Sequence, residues 1–114
     1  MNIEERSDVV YQILELAKSN SLSVEHKKKI YDIVMSLNNR TENQKQRFLL
    51  FYNLNVNQEQ TYRQCDLARL YNVSSNAIRC SVGRIRNALV NLRDERMVVL
   101  KDILEDYKNK MKKW

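Results

Sequence analysis

The sequence predicts an all-α fold of five or six helices, one pair forming a helix-turn-helix and the last a long amphipathic C-terminal helix. Three observations lead there. The 114 residues contain no proline and one glycine, Gly83, so a strand-rich fold would lack its usual turn residues. Apolar side chains recur at intervals of three and four along most of the chain. Short polar clusters of Ser and Asn separate these stretches. The length fits one small domain, and a hydrophobic content of 43% is enough to pack its core.

Ile3, Val10, Ile13, Leu14 and Ala17 mark a first helix over 4–19, broken by Ser19, Asn20 and Ser21. Ser23 is placed to cap a second, whose apolar face is Ile30, Ile33, Val34 and Leu37 and which ends at Asn38 and Asn39. The Lys27, Lys28 and Lys29 run reads as solvated surface balanced by nearby acids, and His26 as a surface residue. Thr41 with Gln44 forms a capping box that opens a third helix, and its Phe48, Phe51 and Tyr52 form an aromatic stripe with core periodicity. The polar stretch 53–60 reads as a loop. A short helix beginning near Thr61 carries Leu67, Ala68 and Tyr71 on one face. Asn72, Val73 and Ser74 then lead into a longer helix, 75–92, with Ile78, Val82, Ile85, Leu89 and Leu92 inward. The units expected are an N-terminal helical pair (1–40), a helix-turn-helix region (41–93) and a C-terminal helix (94–114), packed as one body.

Composition excludes several functions. One glycine cannot build a phosphate-cradling loop or a dinucleotide fingerprint. Cys65 and Cys80 lack metal or redox spacing, and a single histidine leaves imidazole-based metal sites and triads without parts. No enzyme activity, metal or cofactor is therefore expected. No apolar run approaches the ~20 residues of a membrane span, and the acidic start is unlike a signal peptide, so a cytoplasmic protein is expected.

Charge is segregated. Residues 1–60 are balanced, whereas 61–93 hold six arginines (Arg63, Arg69, Arg79, Arg84, Arg86 and Arg93) against one acid, Asp66. The planar arginine fork suits phosphates and guanine edges, so this third of the chain points to a polyanion. The same stretch has the helix-turn-helix pattern: small Ala68 at the crossing, Asn72 where the turn needs left-handed backbone, and Val73 and Ile78 pinning the second helix. Ser74 or Ser75 caps that helix, turning its N-terminal amides toward phosphate.

With those residues in place, 41–93 resembles region four of bacterial sigma factors. The run from Thr41 to Tyr52 is similar to that region's leading helix. Asn72, Val73, Ser74, Ile78 and Arg79, followed by Arg84 to Leu89, are similar to its recognition helix and the basic stretch beyond. Small phage and mobile-element regulators share much of the pattern. The family usually carries charge at the positions of Ser75 and Ala77 and glutamine at Cys80, so its promoter preference does not transfer. Its strand-melting domain is absent, which makes a stand-alone regulator the expectation. The resemblance implies a sequence-specific regulator of transcription that binds double-stranded DNA. The alternatives are a phage or mobile-element packaging or replication protein, and an adaptor that binds RNA polymerase.

On that reading Ser75, Asn76, Arg79 and Cys80 face base edges, Asn76 pairing with adenine and Arg79 with guanine. Arg63, Ser74, Arg84 and Arg86 contact phosphate. Gly83 follows a turn later, where it would either allow close approach to DNA or act as a tolerated bend. Finally, Met97, Leu100, Leu104, Tyr107, Met111 and Trp114 form a seam spaced 3-4-3-4-3. It fits either a strut packed on the first two helices or a homodimer contact.

Overall fold

Asparagine does in this chain what glycine does in most. The computed structural model describes residues 1–112, and among them all five positive-φ residues are asparagines: Asn20, Asn39, Asn53, Asn57 and Asn72. They punctuate six helices, with no strand among the described residues: α1 (Ile3–Lys18), α2 (Val24–Met35), α3 (Glu42–Phe51), α4 (Gln64–Tyr71), α5 (Ser75–Val90) and α6 (Glu95–Lys112).

Three helices stop in the same way. After α1, the Ser21 N–H reaches back to the Leu16 carbonyl at 2.8 Å. After α3, Leu54 does so to Leu49 at 2.9 Å, and after α4, Val73 to Ala68 at 3.0 Å. In each case the residue just before the donor is a left-handed asparagine. This is the Schellman closure, with asparagine replacing the usual glycine. Helix starts are as regular. Side-chain oxygens of Asn2, Ser23, Thr41 and Ser74 each accept the backbone N–H three residues on, and Gln44 returns the bond to Thr41 as the capping box requires.

Helix α5 runs through the centre, packed against α1, α3 and α4, and most extensively against α3. Its Ile78, Ile85 and Leu89 are buried with Phe48 and Leu49 of α3, Leu67 of α4 and Ile13 and Leu14 of α1. Helix α6 closes the other side against α1 and α2. Met1 and Arg6 share a hollow with Met97 and Val98, while Tyr11, Glu15 and Leu16 share one with Leu104 and Tyr107. Thus α1 and α6 run in the same direction. Helix α2 runs opposite to α6, with Arg96 bonded to Ser36 at one end and His26 to Asp106 at the other.

One buried lysine and one half-buried lysine secure the frame. Lys45 donates to the Met35 carbonyl at 3.0 Å, satisfying the end of α2. Lys18 lies 3.5 Å from the centre of the Phe51 ring and donates to the carbonyls of Phe51 and Tyr62, thereby tying both ends of the α3–α4 loop to α1. Burial lowers the Lys18 pKa.

Several expectations need correction. Met97, Leu100 and Leu104 are buried within the chain's own core, at 4%, 1% and 5% exposure, and are not available as a homodimer seam. Tyr107 is partly buried and Met111 exposed, while Trp114 lies outside the described residues. Of the two readings of the seam, the intrachain strut therefore holds for Met97, Leu100 and Leu104. His26 is not a surface residue: it is buried, and its Nε2 donates to the Asp106 carboxylate at 3.1 Å. Ile3 leaves the apolar face of α1 and is exposed. Helix α2 ends at Met35, before the Asn pair, because Ser36 caps its final turn. The fourth helix starts at Gln64, three residues after Thr61, and α5 ends at Val90 rather than at 92.

Candidate nucleic-acid interface

Helices α4 and α5 meet through a turn of Asn72, Val73 and Ser74. Asn72 adopts φ 54° and ψ 51°, the left-handed conformation expected from its place in the sequence. Ala68 is buried, Ile78 is fully enclosed, and Val73 is half-buried between the two helices. Ser74 begins α5, its hydroxyl accepting the Ala77 N–H at 3.1 Å. An open hollow of about 550 Å³ lies along the junction, lined by Arg63, Cys65, Ala68, Arg69, Asn72, Val73 and Ser75.

The one acid of this region is already engaged. Asp66 accepts the backbone N–H of Arg63 at 3.0 Å and so holds the start of α4. Its carboxylate also takes the Arg63 side chain at 3.3 Å and that of Arg69 at 2.8 Å. The Arg63 backbone bond, followed by the guanidinium contacts, holds its pKa down to about 2.

Along α5 the exposed residues form one stripe: Ser75, Asn76, Arg79, Cys80, Arg84 and Asn87, with half-buried Gly83 beside them. Arg79 donates to Asn76 Oδ1 at 2.6 Å. Among the described residues, Arg79 and Arg84 have no acidic partner. Cys65 and Cys80 are free, exposed thiols. The structure therefore places Ser75, Asn76, Arg79, Cys80 and Arg84 on one stripe of α5, with Ser74 at its start and Arg63 beside Ser75 across the junction.

It does not bring Arg86 with them. Arg86 lies at the border between the stripe and the apolar face of α5, where it donates to the Tyr52 hydroxyl at 3.0 Å and its guanidinium stacks 5.1 Å from the Tyr11 ring. Arg86 Nε is buried without a partner. Arg86, expected as a phosphate contact, is engaged within the fold, where it bridges α5 to α3 and α1. The helical period carried only part of that signal: Arg86 lies four residues after buried Val82 and three before buried Leu89, but also seven after exposed Arg79, at the border of the apolar face.

Arg47, which sequence reading did not single out, also supports the junction. It donates to the Ser81 hydroxyl at 3.0 Å and lies 5.0 Å from the Tyr71 ring, bracing α3 against both helices. Among the described residues, no three of His, Cys, Asp or Glu converge to hold a metal ion, and no helix is long and apolar enough to cross a membrane. Comparison with known proteins returns no match: no family model, curated protein or solved structure matches the chain.

Proposed function

We propose that this chain is a sequence-specific regulator that binds double-stranded DNA, using α4 and α5 as a helix-turn-helix with α5 in the major groove. One observation supports the reading above the others. The only acid in 61–93 is held by Arg63 and Arg69, and this leaves Arg79 and Arg84 exposed on one stripe with no acidic partner among the described residues. Such a surface repels other cations and pairs with a polyanion. The left-handed turn and the capped start of α5 suit the geometry of this docking, and the half-buried side of the pair is braced from within. Transcription control is the role we assign to such binding, by the resemblance of this segment to sigma region four.

The experiment is a salt titration of affinity for labelled duplex DNA. With three to four cationic contacts drawn from Arg63, Arg69, Arg79 and Arg84, log affinity should fall against log salt with a slope of about −3. Affinity that is flat in salt, or absent at low salt, overturns the proposal.

A further inference from the structure

We infer that Arg47 is a positioning residue for base readout. From behind the helix-turn-helix it fixes the angle at which α5 meets DNA, and so sets discrimination between sequences without touching DNA itself. The inference rests on the DNA-binding reading and deepens it. Arg47 belongs to α3, and its one guanidinium engages both helices of the pair. Nη1 donates to the Ser81 hydroxyl of α5 at 3.0 Å, and the guanidinium carbon lies over the Tyr71 ring of α4 at 5.0 Å. Each partner sits where it controls the junction. Ser81 is only 4% exposed and comes two residues after Arg79, hence on the opposite face of α5 from that arginine. Tyr71 is the last residue of α4 and directly precedes the left-handed Asn72.

The rest of the junction fixes no angle in this way. Among the described residues, the side-chain hydrogen bonds of α4 end on its own Asp66. Its packing on α5 rests on apolar side chains, among them buried Leu67, Ala68 and Ile78. Apolar contact is non-directional, and helices packed by it slide past one another by small amounts. A guanidinium donates in its plane and stacks by its face, so Arg47 brings direction to both contacts at once. Stability is not what the arrangement gains. Arg47 Nε is buried without a protein partner, a penalty that an apolar side chain of similar length would avoid.

The test compares the wild type with Arg47→Met, Arg47→Lys and Ser81→Ala. Affinity is measured across salt for a duplex that the wild type selects from a random pool and for a scrambled duplex, alongside urea melts. In Arg47→Met the ratio of selected to scrambled affinity should fall roughly tenfold, while the salt slope on the scrambled duplex stays unchanged. Its urea midpoint should stay near that of the wild type, since the Ser81 hydroxyl can turn to a carbonyl of its own helix. Arg47→Lys keeps the charge without the fork and should lose discrimination likewise. Ser81→Ala removes only the acceptor on α5 and should lose part of it, which keeps the inference testable should Arg47→Met fail to fold. A salt slope lower by about one unit in Arg47→Met makes Arg47 a phosphate contact and overturns the inference. Wild-type discrimination in any of the folded variants overturns it too. Salt-dependent duplex binding in which the wild type prefers no sequence overturns the inference but leaves DNA binding standing. No duplex binding overturns both.

Discussion

Arg84 and Arg86 are two positions apart and face opposite ways, which gives them different work. Arg84→Ala should lower the salt slope of duplex binding by about one unit and leave stability near that of the wild type. Arg86→Ala should leave the slope unchanged and destabilise the fold by about 1–3 kcal/mol, because the Tyr52 hydroxyl loses its donor in a buried setting. Paired salt titrations and urea melts distinguish them, and an Arg86→Ala slope change would return Arg86 to the interface. Asp66 makes a pH prediction. Its folded pKa, about 2, lies below the ordinary 3.8, so its contribution to stability is complete above 3.8 and is lost as pH falls through about 2. Its carboxyl carbon signal should titrate near 2 and move upward in Arg69→Ala, which removes one of its partners. Counting charges in the sequence located the basic third of the chain. It did not give the direction of each arginine, which depends on the apolar stripe beneath it, and it missed Arg47 because that residue acts from a different helix.

At the scale of helices and turns, the sequence was most legible where backbone chemistry leaves few choices. Asn72 stood out because few side chains tolerate the left-handed region, and the capping box at Thr41 because its two partners are fixed in spacing. Asn72→Gly should be neutral or slightly stabilising, whereas Asn72→Val should cost about 1–2 kcal/mol, since a branched Cβ strains at φ 54°. Thermal melts of the two variants check this, and equal tolerance would disprove the turn assignment. Gly83 behaves differently. Its φ is not positive, and a Cβ added there meets nothing within 4 Å, so the glycine is a helix defect and not a packing requirement. Gly83→Ala should raise stability by about 1 kcal/mol. The start of α4 was less legible, as its cap is the Asp66 carboxylate three residues inside the helix, and not a residue at the boundary itself.

At the scale of the molecule, an apolar seam spaced 3-4-3-4-3 looks the same in sequence whether a neighbouring helix or a second chain covers it. The difference lies in what α1 and α2 leave uncovered, and they leave α6 to cover them. Leu104→Asp should therefore destabilise the chain by about 4 kcal/mol through a buried, unpaired carboxylate, with no change of oligomeric state attributable to that position. Urea denaturation with sedimentation measures both, and a folded monomer formed from a wild-type dimer would restore the seam as an interface. The packing of α6 also has a consequence for the order of events during synthesis. The bond between His26 and Asp106 spans 80 positions, and α1 makes its most extensive packing with the same late helix. A ribosome adding residues one at a time will thus leave part of the apolar surface of α1 and α2 exposed until α6 has emerged. In that interval the nascent chain presents apolar side chains of α1 and α2 to whatever apolar surface is nearest, and contacts so distant in sequence form late.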